Sequence, residues 1–199
     1  MGCAAALQLA EGGMNSIVLD QGDLGQGASG VNAGTLSLQI KRVKLMPYAI
    51  RGHQEWESMG DAVGFKKTGG YTLAFTDHEA ELLLERMTLK AEAGAPIELV
   101  SNSVLREAEP QLADRVVAAS YCAEDGYSNS SLTGQFYRAR LKEQGVQYRE
   151  GFKVLGVEAC NDGYVIRSAN TTVRARKLLL SAGAWLKSLA ALMDVDLPV

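Results

Sequence analysis

The stretch from Gln21 to Gly34 constrains this chain more than any other: glycines at 22, 25, 27, 30 and 34 crowd a single loop. Glycine adopts left-handed backbone that other residues avoid, and it lets another backbone or an anionic group come close. The loop follows a short apolar run, Ser16-Ile17-Val18-Leu19-Asp20, whose length and β-branching predict a buried parallel strand ending on a carboxylate. Ahead of it, Gly2 to Gly13 carries Ala4, Ala5, Leu7, Leu9 and Ala10, and Gly12-Gly13 marks a helix stop. Small residues let that helix lie close on a sheet, so this opening predicts an α/β layer.

Beyond the loop, residues 36–59 read as mostly helical, with Pro47 marking a break or a helix start. Gly64 to Phe75 predicts a pair of strands around a Gly69-Gly70 turn. Thr76-x-x-Glu79 spells a capping box, announcing a helix through Leu82, Leu83, Leu84, Met87 and Leu89 to Gly94. The charges between Glu79 and Lys90 read as its exposed face. A strand over Ile97–Val100, a short helix from Ser103 to Glu109 and a strand over Val116–Cys122 lead to an Asp125-Gly126 turn. Ser130 or Ser131 then caps a helix running to Gly145. Three short strands follow (Phe152–Ala159, Tyr164–Arg167, Thr171–Arg174), the first two joined by the hairpin signal Asn161-Asp162-Gly163. Lys177–Ser181 reads as a buried strand that Ala182-Gly183-Ala184-Trp185 turns into a final helix.

Composition narrows the functions. Lys and Arg total 20 against 23 Asp and Glu, a net charge of −3, so nothing favours a nucleic acid partner. No apolar run, Ala4–Leu7 and Leu178–Leu180 included, approaches the roughly 20 residues a transmembrane helix needs. Cys3, Cys122 and Cys160 form no C-x-x-C pair, which favours a reducing, cytoplasmic setting over a disulfide framework. His53 and His78 have no partner at metal-ligand spacing, and no zinc site is expected. Met1-Gly2-Cys3 superficially suggests lipidation, but Ala6 stands where a myristoylation signal wants Ser or Thr.

Four pieces belong together: Gly2 before a small-residue helix, Asp20 closing a strand, the Gly/Ser loop, and the late Ser181-Ala182-Gly183 turn. Dinucleotide folds place glycines between a first strand and helix, and an acid about 20 residues on that accepts hydrogen bonds from a ribose. Asp20 stands where that acid belongs if Gly2 is the last glycine of such a fingerprint.

The Gly27-Ala28-Ser29-Gly30-Val31-Asn32-Ala33-Gly34 loop, read on through Leu36, resembles the D-amino-acid oxidase superfamily of FAD-dependent oxidoreductases, which includes glycine oxidase, sarcosine oxidase and D-amino-acid dehydrogenase. Asp125-Gly126 with the helix ending at Gly145, Val154 in Phe152–Val157, and Leu180 to Trp185 are similar to further family segments. Leu197-Pro198-Val199 resembles the stretch before the family's P-x-R-G-Q. The resemblance runs through the whole chain in family order. It implies an N-terminal half, with the first strand and its glycines upstream of Met1 and most substrate ligands downstream of Val199.

The resemblance implies an α/β fold: an FAD-binding Rossmann-like parallel sheet with its first strand missing, a β-meander, and part of an antiparallel α+β substrate domain. It assigns residues 1–60 and 125–199 to a discontinuous FAD-binding domain and 61–124 to the partial substrate domain. Cofactor contacts are expected from Gly2, Asp20, Gln21, Ser29, Gly30, Gly34, Thr35, Leu36, Val154, Ser181, Ala182 and Gly183. The implied reaction oxidises the C–N bond of a small amino acid or secondary amine; hydride passes from the amine-bearing carbon to the flavin and the imine hydrolyses. No catalytic residue is nominated. His53 reads as part of a solvated helix face, Trp56 and Trp185 as core or interface aromatics, and Tyr71 and Phe75 as residues able to face substrate. A chain of this kind is expected in the cytoplasm, or peripheral to the inner membrane, alone or in a homo- or hetero-oligomer. Two alternatives stay open: a fragment or subunit that binds FAD weakly or not at all and depends on a partner, and an NAD-binding protein, since Asp20 serves either dinucleotide.

Overall fold

A computed structural model describes residues 1–198; Val199, the last residue of the C-terminal match, lies outside the described residues. The chain opens with helix α1 (Gly2–Glu11), strand β1 (Ile17–Leu19) and strand β2 (Thr35–Leu36). Helix α2 (Met46–Met59) leads to strands β3 (Lys66–Lys67) and β4 (Gly70–Ala74), then helix α3 (Asp77–Glu92) and strand β5 (Ile97–Val100). Helix α4 (Asn102–Ala108), strands β6 (Ala118–Cys122) and β7 (Gly126–Tyr127), and helix α5 (Thr133–Glu143) come next. Strands β8 (Gln147–Arg149), β9 (Gly156–Cys160), β10 (Gly163–Arg167) and β11 (Thr172–Ala175) precede the short helix α6 (Leu186–Ala191). These elements form two compact units, one of residues 1–31 and 133–199 and one of residues 32–132. Residues 32–60 and 125–132, which the family resemblance groups with the cofactor-binding part, fall in the second unit.

In the first unit β1 pairs in parallel with β8, Ile17 opposite Gln147 and Leu19 opposite Arg149. The predicted parallel strand is therefore present, although its residues are half-buried. The alanines of α1 let the helix close on α5: Ala6, Leu24, Leu141 and Val146 form a core joined by Cys3, Leu7, Ala10 and Val18. β9, β10 and β11 make an antiparallel meander, its first hairpin turning through Asn161-Asp162 as the sequence predicts. Phe152, Val157 and Ile166 form its core and reach Leu19 and Val154. Lys177–Ser181 is not a strand, which corrects the sequence reading. It has no hydrogen-bonded strand beside it among the described residues, and Leu179 is exposed.

Glu150 ties this unit together. Its carboxylate accepts from Arg138 Nε and Nη2, both at 2.7 Å, and from the Leu24 backbone N–H at 2.6 Å. Both side chains keep under a third of their exposure, so the pair is worth more than a surface ion pair. Arg138 beside it holds the Glu150 carboxyl below the ordinary carboxylate value. Glu150→Ala is expected to cost about 2 kcal/mol at neutral pH, because it strands the Leu24 N–H and the guanidinium. A lowered folded-state pKa means that this stabilisation is complete above the ordinary value and lost as pH falls through the folded one. The stability gap between wild type and variant, measured by urea unfolding, should accordingly close as the pH is lowered through and below the ordinary carboxylate range.

The second unit is built on an antiparallel sheet in the order β4-β6-β5, Thr72 opposite Ser120 and Ile97 opposite Cys122. Helix α3 packs on all three strands. It starts with the predicted capping box: Glu79 N donates to Thr76 Oγ1, and Thr76 N donates to the Glu79 carboxylate. Leu105, Val116 and Ala119 form one core cluster, and Leu38, Met46, Ala95, Ile97 and Cys122 the other. Residues 37–42 are not helical; a 3-10 turn over Val43–Leu45 leads into α2, which begins at Met46 with Pro47 in its first turn, the role proline's missing N–H suits. β3 and β4 do form around Gly69-Gly70, but they enter different sheets: β3 pairs with β7 and β4 with β6. Ser130–Leu132 form a 3-10 turn before α5, and Asn129 Oδ1 accepts from both the N–H and the hydroxyl of Ser131.

Candidate functional site

The first unit carries most of the residues nominated as cofactor contacts. Gly2 is the first residue of α1, whose N-terminal turn holds no acidic side chain and no side-chain cap. The unpaired N–H groups of such a turn favour an anion. Gly2 and Ser181, far apart in sequence, meet here: a first side-chain carbon at position 2 would lie 2.5 Å from Ser181 Oγ. Asp20 follows β1 directly. Its N–H donates to Arg149 O at 3.0 Å, its carbonyl accepts from Phe152 N at 2.7 Å, and Oδ1 accepts from Gly22 N at 2.9 Å. The backbone is thus pinned on both sides, while Oδ2 has no hydrogen bond among the described residues. Asp20 also lies near the start of α1: burial pushes the Cys3 thiol above its ordinary value and the Asp20 carboxylate adds to the effect.

Gln21 is exposed beside Asp20. Ser29 and Gly30 end a 3-10 turn over Gly27–Ser29, and Gly30 packs against the Gly25 carbonyl. Val154 is half-buried beside Phe152 and Leu19. Ala182 precedes the turn Gly183–Trp185, where Gly183 takes a left-handed φ of 54°. Among the described residues no group of His, Cys, Asp or Glu is placed to hold a metal ion, and no helix is long and apolar enough to cross a membrane.

Gly34, Thr35 and Leu36 lie in the second unit. Thr35 and Leu36 form β2, opposite Tyr127 and Gly126 of β7. Gly34 is buried at φ 69°, and Ser128 N donates to its carbonyl at 2.9 Å. Just beyond them lies a buried polar cluster. Asp125 accepts from the Ser37 hydroxyl and, at 2.7 Å, from Leu38 N. Gln39 donates to Gly70 O and accepts from Ser120 Oγ, both at 2.6 Å. Of this set the sequence singles out the Asp125-Gly126 and Gly69-Gly70 turns and neither Ser37 nor Gln39.

His53 corrects the sequence reading. It is 8% exposed, not solvated, because it shares a helix face with Met46, two turns earlier, and Met46 is in the core. Burial holds it below the ordinary histidine value, so it is neutral at neutral pH. Trp185 is exposed. Tyr71 packs against Tyr121 with the rings tilted by 41° and their centroids 4.8 Å apart, and Arg115 covers the Phe75 ring at 5.1 Å. A hollow of about 590 Å³ opens at the β9–β10 hairpin between Cys160, Tyr164, Arg174 and Arg176, and no nominated residue borders it.

Known proteins resemble this chain in sequence and in fold. A subunit of the opine oxidase of Rhizobium meliloti is 27% identical over 214 residues that take in all of this chain and 58% of that protein. Glycine oxidase of Geobacillus kaustophilus is 25% identical over all of this chain and 56% of its own length. The crystal structure of that glycine oxidase superposes with a TM-score of 0.86 over 98% of this chain. Monomeric sarcosine oxidase of a Bacillus species is 24% identical, again over the whole chain and 53% of the relative. The chain thus spans a little over half the length of each of these three relatives. Residues 1–199 match throughout the family described as DAO, FAD dependent oxidoreductase, and the chain belongs to that family.

Proposed function

We propose that this chain holds the adenosine diphosphate half of FAD in an oxidoreductase acting on the C–N bond of a small amino acid or secondary amine. The observation that carries the reading is the meeting of three features in the first unit: the uncapped start of α1 at Gly2, Ser181 against it, and Asp20 at the end of β1. They fit the group chemically, since a helix start offers N–H donors to a pyrophosphate and a strand-end carboxylate accepts from ribose hydroxyls. Gln21 stands beside Asp20 for the same ribose, and Val154 offers backbone groups to the adenine. Ser29, Gly30, Ala182 and Gly183 leave room for the cofactor's approach, and the family pattern adds Gly34, Thr35 and Leu36 to the contacts. When bound, FAD supplies the two-electron acceptor, and the protein supplies binding and orientation. The substrate class rests on the names of the relatives, which include glycine and sarcosine oxidases.

A second reading has its own support. The relative from Rhizobium meliloti is named as a subunit, which favours a chain that works within an assembly. One titration separates the two. FAD added to the purified chain should lose fluorescence on binding, and Asp20→Ala should weaken that binding by about tenfold or more, the worth of a charged hydrogen bond. Unchanged affinity in the variant would end the ribose assignment. A wild-type chain that fails to quench FAD until a partner is added would favour the subunit reading.

A further inference from the structure

In the second unit, a cavity of about 110 Å³ lies between α3 and the β4-β6-β5 sheet, lined by Gln39, Thr72, Leu83, Arg86, Met87, Lys90, Ile97 and Ser120. Its floor is polar and built. Ser120, 1% exposed, donates to Gln39 Oε1, and the Gln39 amide spends one hydrogen on Gly70 O and keeps the other. The Thr72 hydroxyl has no hydrogen bond among the described residues. The wall is cationic: Arg86 and Lys90 stand one helical turn apart on α3, a spacing at which like charges repel. Among the described residues neither cation forms an ion pair. Lys90 donates to the Gln39 carbonyl, which turns its ammonium towards the cavity floor. Burial and the neighbouring Arg86 both push the Lys90 ammonium below its ordinary value. Asp125 is the carboxylate that acts on it, and both Asp125 oxygens are already engaged by Ser37 and Leu38.

Two adjacent cations that form no ion pair among the described residues, over a floor of fixed hydroxyl and amide groups, describe half of an ion site. We infer that this cavity binds a small oxyanion, of acetate or phosphate size, between Arg86, Lys90 and the Thr72 hydroxyl. The bound oxygens accept from the guanidinium, the ammonium and the hydroxyl, and the free Gln39 N–H is a fourth donor. The space suits such an ion, since it holds several waters and no large ligand. The site is distinct from the residues proposed to hold FAD, and its test needs no flavin, so either reading can fail alone.

Thermal unfolding of the purified full chain, in chloride-free buffer at constant ionic strength, tests the inference with sodium acetate and inorganic phosphate as separate probes. A saturable rise in melting temperature is expected with at least one, and the probe that gives it tells a carboxylate site from a phosphate site. Arg86→Gln, at an exposed position, and Lys90→Met should each weaken the fitted affinity by about tenfold or more. Glu85→Gln, an exposed neighbour on α3, should leave it unchanged. The absence of a saturable rise with both probes overturns the inference, and so does a rise that survives in Arg86→Gln. Should Lys90→Met fail to fold, Arg86→Gln alone decides.

Discussion

Asp125→Ala is expected to lower the stability of the chain by about 3–5 kcal/mol. Asp125 is 4% exposed and its two oxygens take separate donors, the Ser37 hydroxyl and the Leu38 N–H. Removing the carboxylate leaves both donors buried without an acceptor, and each such orphan costs about 1–3 kcal/mol. A small cavity adds to the loss. The backbone of Asp125 is unaffected in principle: its carbonyl accepts from Thr68 N and Gly69 N, and those bonds survive the substitution. The variant therefore isolates the side chain's role, which is to clamp residues 37–38 onto the Asp125-Gly126 turn. Asp125→Asn keeps the volume and one acceptor oxygen, and should cost clearly less. Urea unfolding checks this through the midpoint at unchanged slope. A cycle with Ser37→Ala should return a coupling of about 1 kcal/mol or more, because the two groups share one bond. A loss below about 0.5 kcal/mol in Asp125→Ala would mean that water replaces the carboxylate and that the clamp is not structural.

The elements legible in the sequence were those with a local cause. The capping box at Thr76 and Glu79, the Pro47 start of α2, the Asn161-Asp162 hairpin and the small-residue helix α1 each follow from residues within a few positions. What stayed hidden depends on distant partners. Whether Lys177–Ser181 becomes a strand depends on a neighbour to pair with, and β3 and β4 part company because β7 and β6 claim them separately. His53 misleads for a different reason: its neighbours Arg51, Gln54 and Glu55 are polar, but the stripe from Met46 points into the core. The glycine loop is the most instructive case. Gly25, Gly30 and Gly34 meet protein backbone, at Gly134, the Gly25 carbonyl and Ser128, whereas Gly22 and Gly27 meet nothing within 4 Å. Part of a pattern that reads as a cofactor cradle is therefore demanded by chain packing, and composition alone cannot divide the two demands. Of the nominated site, the sequence already groups Gly2 with the Ser181 turn, and what the geometry adds is their direct approach, Ser181 Oγ standing where a first side-chain carbon at position 2 would go.

Gly34→Val is expected to cost about 3–5 kcal/mol or to prevent the second unit from folding. Two independent penalties meet at this residue. Its φ of 69° is left-handed backbone, costly for any residue with a Cβ and worst for a β-branched one. The added carbon would also collide with the Ser128 carbonyl oxygen, the same chain segment whose N–H donates to Gly34 O. Neither side can yield, because β2 and β7 are hydrogen-bonded in register immediately beyond, Thr35 to Tyr127 and Leu36 to Gly126. Gly52→Ala is the control: it sits inside α2 at ordinary φ with open space around it, so it should be neutral or stabilising by up to about 1 kcal/mol. Hydrogen exchange localises the damage. In Gly34→Val, or in the milder Gly34→Ala, protection should fall first at residues 35–36, 66–67 and 126–127, the three strands of the small sheet. The outcome also bears on the cofactor reading, since Gly34 is among the residues proposed to contact FAD. If Gly34→Ala kept that sheet protected yet weakened FAD binding, the glycine would be there for the ligand; loss of protection without flavin present shows that the fold itself demands it.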